Sequence, residues 1–324
     1  MYRSHWSSQR LAVIAALMLG VALAAPASAE PEDDPTIVAV GDLACQSLSQ
    51  GQGTATCQSG AIADLVRALA PDRFLPLGDL QYANGRLEEF MRVWDVQFGD
   101  LKSITAPAPG NHEYGTSGAQ GYFDYFGPIA NPPLGYYSFD LGAWHLISLN
   151  TDICGDDPGC GPGSPQYDWL AADLAANADA ACTLVYGHHP YYDWRPFQKW
   201  IVDDGRTRNG GSETKPYAAM WALMDAQGVD VSLVAHNHVY QRWAAQDANG
   251  NAVPDGITQF LVGTGGRQLY AFGRPPMPAN LVATQNTSFG ALQLTLHESS
   301  YDYAFAAAAG QPAYEDAGAG VACH

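Results

Sequence analysis

Positive charge is what this sequence has least of: 15 Lys and Arg stand against 33 Asp and Glu in 324 residues, a formal net charge of −18. Phosphate backbones are bound through clustered Lys and Arg, so this balance argues against nucleic acid as the main partner, and an anionic membrane surface is disfavoured on the same ground. Charged residues make up 15% of the chain and hydrophobic residues 47%, which excludes wholesale disorder and supplies the apolar material for a core. Gly and Pro number 34 and 21 but follow no Gly-X-Y period, so a collagen-like or low-complexity chain is excluded too. There is no internal repeat, no linker that would demand a second domain and no second long apolar run. Also missing are a C-x-x-C pair, a Gly-x-Ser-x-Gly elbow and a Gly-rich loop followed by Lys.

The single long apolar run, Leu11 to Ala25, follows Arg3 and Arg10 and precedes Ala27-Ser28-Ala29. These are the basic, apolar and small-residue regions of a secretory signal peptide, with cleavage expected after Ala29 and residues 30–324 left as one domain. The run is shorter than the roughly 20 residues that span a bilayer, and Glu30-Pro31-Glu32-Asp33-Asp34 follows at once, which disfavours an uncleaved anchor. A secreted, extracellular protein is expected, with no membrane association after cleavage. All six cysteines lie beyond Ala29, and an even number in an oxidising compartment reads as disulfides. Cys45 with Cys57 and Cys154 with Cys160 bracket short polar, Gly-containing segments and are preferred as local pairs, with Cys182 and Cys323 then tying down the C-terminus. Other connectivities remain open. A zinc site is the rival reading, disfavoured by the absence of C-x-x-C.

Strands and helices alternate along the chain. Thr36 to Val40 reads as a strand ending at Gly41-Asp42, Ser59 to Ala70 as a helix, Arg73 to Leu77 as a strand ending at Gly78-Asp79, and Leu87 to Phe98 as a helix. Ser103 to Ala106 is expected as a short strand closed by Pro107, Pro109 and Gly110. Tyr136 to Asp140 and Trp144 to Asn150 read as a hairpin turning at Gly142. A helix at Gln166 to Ala176, a strand at Cys182 to Tyr186, a helix at Pro216 to Gln227 and a strand at Val229 to Val234 follow. Beyond that the pattern is β: Gln241 to Gln246 and Thr258 to Val262 around a turn-rich Asp247 to Gly256, then a hairpin of Ala291 to His297 and Tyr301 to Ala307. Mixed βα units with appended hairpins imply an α/β domain whose sheets are sandwiched by helices.

Five strand ends carry polar groups: Gly41-Asp42, Gly78-Asp79-Leu80-Gln81-Tyr82, Gly110-Asn111-His112-Glu113, Gly187-His188-His189-Pro190 and His236-Asn237-His238. Ligands of open α/β sheets bind beyond the carboxyl ends of the strands, so these loops can converge on one pocket. Taken singly, each is a turn or a satisfied histidine. As a set, two Asp, one Asn, one Tyr and three His suit first-row transition metals and exceed what one four-coordinate ion needs. One carboxylate bridging two cations makes sense of the count.

These ordered blocks, from Asp42 to Arg242, resemble the calcineurin-like metallophosphoesterase superfamily and, within it, the purple acid phosphatase group. The superfamily's opening Asp-x-His is absent, since Ala44 stands two residues after Asp42; Tyr82 of Gly-Asp-x-x-Tyr, the distinctive ligand of the purple group, replaces it. His236-x-His238-x-Tyr240-x-Arg242 resembles the family's later motif, with Ala235 where the family usually has Gly. The resemblance implies a four-layer αββα sandwich of two mixed β-sheets flanked by helices. It implies Asp42, Tyr82 and His238 on a first metal, Asn111, His188 and His236 on a second, and Asp79 bridging both. Fe(III) is expected at the Tyr82 site and Fe, Zn or Mn at the other. The N-terminal β-sandwich of plant members is not expected, because the first metal motif begins so soon after Ala29.

Two cations about 3.5–4 Å apart lower the pKa of a shared water to near 7 and hold both oxygens of an in-line displacement at phosphorus. The expected function is therefore a dinuclear phosphatase that hydrolyses phosphate monoesters by attack of metal-bound hydroxide. A phosphodiesterase or nucleotidase using the same site, and a non-catalytic module stapled by metals, are the alternatives. His112 is a candidate to orient phosphate or protonate the leaving group, or else a supporting histidine bonded to a carboxylate such as Glu113. His189 is a candidate for the substrate pocket. Tyr191, Tyr192, Trp194 and Arg195 either line a groove or pack a loop over the sheet. Asp247, Asn249, Asn251 and Asp255 read as a hairpin turn in preference to a calcium loop. Gly263-Thr264-Gly265-Gly266 reads as a loop near the metals. Asn286-Thr287-Ser288 is a glycosylation pattern where the host glycosylates.

Overall fold

The computed structural model describes residue 1 and residues 34–49, 53–155, 160–194, 200–201, 207–208, 218–272 and 276–324. All but the first residue of the expected signal peptide, Arg195 and the first two residues of the helix expected from Pro216 lie outside the described residues.

In chain order the strands are β1 (Thr36–Val40), β2 (Arg73–Pro76), β3 (Tyr137–Leu141), β4 (Trp144–Ser148), β5 (Cys182–Tyr186), β6 (Trp200–Ile201), β7 (Thr207–Arg208), β8 (Val231–Val234), β9 (Tyr240–Trp243), β10 (Thr258–Val262), β11 (Leu281–Gln285), β12 (Gly290–Leu296), β13 (Ser300–Ala307) and β14 (Ala317–Ala322). They form a five-stranded sheet ordered β14-β13-β12-β1-β2 and a seven-stranded sheet ordered β11-β9-β10-β8-β5-β4-β3, with β6 and β7 as a small separate ribbon. Both large sheets are mixed. β1 runs parallel to β2 and antiparallel to β12, while β4, β5, β8 and β10 are mutually parallel and flanked by antiparallel hairpin strands.

The pleat sorts side chains into layers. On β4 and β5, Leu146, Leu184 and Tyr186 join Ile37, Ala39, Leu292 and Leu294 of the other sheet in the main core. Ile147 and Val185, one residue out of phase, pack with Leu170 and Leu174 of helix α5 (Pro165–Ala176) and with Met220, Trp221 and Met224 of α6 (Ala218–Ala226). Strands buried on both faces read as continuous apolar runs, as Cys182–Tyr186 does. Trp144 against Tyr301 and Phe260 against Tyr303 make edge contacts between the two sheets. Ile62 and Val66 of α1 (Ser59–Leu69) are buried in the main core, and so are aromatic residues of a helical stretch made of α2 (Leu87–Glu89), a π-helical turn (Phe90–Trp94) and α3 (Asp95–Phe98). Two mixed sheets flanked by helices are the expected architecture.

The expected strand at Ser103 to Ala106 arrives two residues late. Gly99–Ile104 is a 3-10 helix, and Thr105 and Ala108 make isolated parallel bridges to Phe74 and Leu77. Ala106 and Ala108 donate N–H groups to Phe74 and Pro76 at 2.8 and 3.0 Å. Pro107 and Pro109 alternate with them and have no N–H to present on the other side, which blunts the edge. Helix α4 (Gln120–Phe126) and strands β11 and β14 were not expected from the sequence. All three preferred disulfides are present: Cys45–Cys57, Cys154–Cys160 and Cys182–Cys323. No helix among the described residues is long and apolar enough to cross a membrane.

A buried histidine links the β3–β4 hairpin to α5. His145 Nδ1 lies 2.7 Å from Asp140 Oδ1 and its Nε2 2.9 Å from Asp173 Oδ2. Burial pushes the imidazole pKa down, but the bonds to Asp173 and Asp140 outweigh it and hold the pKa above its ordinary value. A raised folded-state pKa contributes stability in full below the unfolded value of about 6.5 and loses it as pH rises through the folded value. The difference in urea midpoint between wild type and His145→Gln is therefore expected to be largest at about pH 6 and to shrink toward pH 9. A difference that stays constant over that range would contradict this role.

Candidate metal centre

Asp42, Asp79, His188 and His236 follow the carboxyl ends of β1, β2, β5 and β8, so both sheets feed one cleft. Asn111 and His112 follow the edge segment that pairs with β2. The Asp42 and Asp79 loops are zipped together: Asp42, Leu43 and Ala44 donate N–H groups to the carbonyls of Gly78, Asp79 and Leu80, and Tyr82 donates back to Ala44. Small residues let these loops meet. A Cβ on Gly110 would fall 2.3 Å from the Asp79 nitrogen, and one on Gly41 would fall 2.5 Å from the Ala235 methyl. Ala235 is thus accommodated because its neighbour is glycine.

The seven expected ligands form two groups of donors that share one carboxylate. In the first, the Tyr82 hydroxyl lies 3.0 Å from Asp42 Oδ1, 3.0 Å from Asp79 Oδ2 and 3.2 Å from His238 Nε2. In the second, His188 Nε2 lies 3.3 Å from Asp79 Oδ1 and 3.2 Å from Asn111 Oδ1, and His236 Nδ1 lies 3.0 Å from Asn111 Oδ1 and 3.1 Å from His188 Nε2. The two oxygens of Asp79 therefore face different groups. Donors about 2.0–2.2 Å from a common cation stand about 2.9–3.5 Å from one another along the edges of an octahedron or tetrahedron. The observed spacings fall in that range. Asp42 is fully buried and its Oδ2 has no hydrogen-bond partner among the described residues, an arrangement that costs free energy unless a cation compensates it.

Supporting contacts orient the rings. His188 Nδ1 and His238 Nδ1 each face a backbone carbonyl, of Leu77 and of Gln268, at 2.8 Å. A carbonyl can only accept, so each Nδ1 carries a proton and each Nε2 is the ring nitrogen turned to the cleft. Tyr270 stacks on His238 with centroids 4.1 Å apart. Glu113 accepts the N–H groups of Gln81 at 3.0 Å and Gly110 at 2.8 Å, clipping the Asp79 loop to the Asn111 loop. It is not the partner of His112, whose Nδ1 faces the Ala83 carbonyl at 2.5 Å and whose Nε2 lies 3.7 Å from Asp79 Oδ2. His189 is oriented by Thr151, with Nδ1 and Oγ1 3.0 Å apart, and its ring lies 4.5 Å from that of His236.

Protonation in the metal-free protein follows from this crowding. Burial pushes Asp79 upward, but the facing imidazoles, His188 foremost and then His112 and His236, hold its carboxyl well below the usual range. Burial pushes His188 down, yet the Asp79 charge outweighs it and raises the imidazole to about 10. Burial, then the charges of Asp42 and Asp79, push the Tyr82 phenol well above its ordinary value. Glu113 is pushed up to about 8 by burial and by Asp79.

Other sequence readings resolve locally. Tyr191 stacks on Trp221 at 4.5 Å and Tyr192 packs against Trp221 and Trp243, so both serve packing, while Trp194 stacks on Phe272. Asp247 accepts the N–H groups of Asn249 and Asn251, a turn closed on itself. The Gly263–Gly266 loop does border the centre: a Cβ on Gly263 would lie 2.8 Å from Asp42 Oδ2.

Asp42, Asp79 and His236 all hold positive φ, at 61°, 50° and 67°. Left-handed backbone costs a non-glycine residue about 1–2 kcal/mol, and such residues cluster where function requires the strain. Asn tolerates this conformation and carries no buried charge. Asp42→Asn is therefore expected to raise the melting temperature of chelator-stripped protein, by about 2–4 °C for each kcal/mol relieved, while lowering the metal retained on purification. A stripped variant that melts below the stripped wild type would contradict the trade.

Comparison with known proteins agrees with this geometry. The family profile described as Calcineurin-like phosphoesterase matches residues 35–240. Acid phosphatase type 7 of Danio rerio is 30% identical over 267 residues, 72% of this chain and 57% of that protein; its Homo sapiens counterpart is 29% identical over 249 residues, 69% and 55% respectively. The structure of a purple acid phosphatase from yellow lupin seeds superposes with a TM-score of 0.66 at 19% identity, covering 87% of this chain and 52% of that one. The chain thus spans a little over half the length of these relatives. Matched by the family profile over most of its length, the chain belongs to the calcineurin-like phosphoesterase family.

Proposed function

We propose that this protein is a secreted dinuclear metal-dependent phosphatase that hydrolyses phosphate monoesters. The observation that carries the reading is the division of the Asp79 carboxylate, Oδ2 toward Tyr82 and Oδ1 toward His188. Asp42, Tyr82 and His238 would hold one cation, Asn111, His188 and His236 the other, and Asp79 both. Fe(III) suits the phenolate-containing group, with Fe, Zn or Mn at the imidazole-rich one. When bound, such a pair supplies neutralisation of phosphoryl charge and an activated water.

The chain's own residues do the rest. His112 is about a third exposed at the cleft; with its Nδ1 proton given to the Ala83 carbonyl, Nε2 is the atom that holds or donates a proton to the leaving oxygen. His189, fixed by Thr151, presents its ring beside His236 to position the phosphoryl group. Glu113 keeps the Asp79 and Asn111 loops at a fixed separation, and misplacing either would degrade the geometry. The three disulfides are compatible with an extracellular site of action.

In metal-replete protein, the ratio of kcat/KM for a nitrophenyl phosphate monoester to that for the bis ester is expected to be high. Asp79→Asn is expected to abolish turnover with the fold retained. A ratio below one would favour a phosphodiesterase, and near-normal turnover by Asp79→Asn would remove Asp79 as the shared ligand. Tyr82→Phe is expected to bleach a visible tyrosinate-to-iron band, and an unchanged spectrum would remove Tyr82 from the iron.

A further inference from the structure

Arg267 differs from the two arginines of the described structure that carry carboxylate partners. Arg67 is paired with Asp64 and Asp100, and Arg242 with Asp316. No described carboxylate pairs with Arg267; its Nε is buried without an acceptor, and its Nη groups donate to no described residue. In a chain with 33 acidic residues against 15 basic ones, partners for an arginine are plentiful. A guanidinium with no carboxylate partner among the described residues is available to an anion from outside.

Its position says which anion. The guanidinium carbon lies 4.3 Å from the centroid of the Tyr82 ring, whose hydroxyl belongs to the first donor group. The His112 ring packs on the same tyrosine, with centroids 4.1 Å apart. The backbone beneath Arg267 is fixed by the loop that carries Asp42. Arg267 donates its N–H to the Asp42 carbonyl at 3.1 Å, Gly265 donates to Gly41 at 3.0 Å, and Gln58 donates to Gly266 at 2.8 Å. Cys57, cross-linked to Cys45, makes a β-bridge with Arg267 itself. The cation is thus placed beside the metal centre before any substrate arrives, and stacking on an aromatic face limits its freedom further.

We propose that Arg267 binds nonbridging oxygens of the substrate phosphoryl group and sets a preference for phosphate monoesters over diesters. This rests on the phosphoesterase reading above and adds to it the residue that selects the substrate class. A planar guanidinium grips a phosphoryl group through two parallel N–H donors. A monoester presents a dianionic phosphoryl group and a diester only a monoanion, so the attraction to a half-buried cation is about twofold greater for the monoester.

In the metal-replete protein, Arg267→Gln is expected to lower kcat/KM for the nitrophenyl monoester about 10- to 100-fold. The bis ester should lose far less, so the ratio between them falls. Inorganic phosphate, titrated calorimetrically, should bind more weakly by a factor similar to the monoester loss, with metal content and melting temperature unchanged. Arg267→Lys keeps the charge without the planar fork and is expected to restore part of both the ratio and the phosphate affinity. Equal losses for the two esters at unchanged phosphate affinity would overturn the assignment of Arg267. A wild-type protein that hydrolyses neither ester and binds no phosphate would instead overturn the reading of the whole site.

Discussion

One carboxylate holds the arrangement together. Asp79 sits at the end of a strand of one sheet and places one oxygen beside Tyr82, from its own loop, and the other beside His188, from the second sheet. Every other expected ligand is placed by how its loop reaches that residue. The loop zipper from Asp42 to Ala44, the Glu113 clip and the closeness allowed by Gly110 all fix the backbone around Asp79. The two-sheet core serves the same end, because ridges such as Leu184 and Leu292 set the distance at which the two sets of strand ends meet.

The electrostatics bear on how a chain so acidic would serve the anionic substrates of the proposed function. At long range a net charge of −18 repels phosphate. At the cleft the balance would reverse with cations held among Asp42, Asp79 and Tyr82, and Arg267 adds a fixed positive charge on the same side. The cost is visible in the backbone, where three expected ligands hold left-handed conformations, and in the unpartnered buried oxygen of Asp42. Disulfides offset part of it: Cys45–Cys57 lies behind the Asp42 loop, and Cys182–Cys323 closes 141 residues of chain onto the start of β5.

Much of this was legible in the sequence because the chemistry is local. A short apolar strand followed by a small residue and then Asp, Asn or His is a pattern that one-dimensional reading detects, and five such ends carry all seven expected ligands. The disulfide pairs were legible for the same reason, two of them bracketing short loops. What escaped was set by partners far away in the chain. β14, with the sequence AGAGVA, has little strand character of its own and exists because β13 pairs with it. Helix α4 begins beside two glycines, and Gly121 is there because a Cβ would fall 2.2 Å from the Gly85 carbonyl. Thr105 to Ala108 reads poorly as a strand because its prolines suit only an edge. Arg267 directly follows a Gly-rich loop that did stand out, but its stacking on Tyr82, 185 residues earlier, is a tertiary fact.

Anomalous diffraction from crystals of metal-replete protein tests the central claim most directly. The account predicts two peaks per chain flanking Asp79, each about 2.0–2.2 Å from a different oxygen of that carboxylate. A single peak, or two peaks of which neither contacts Asp79, would contradict it.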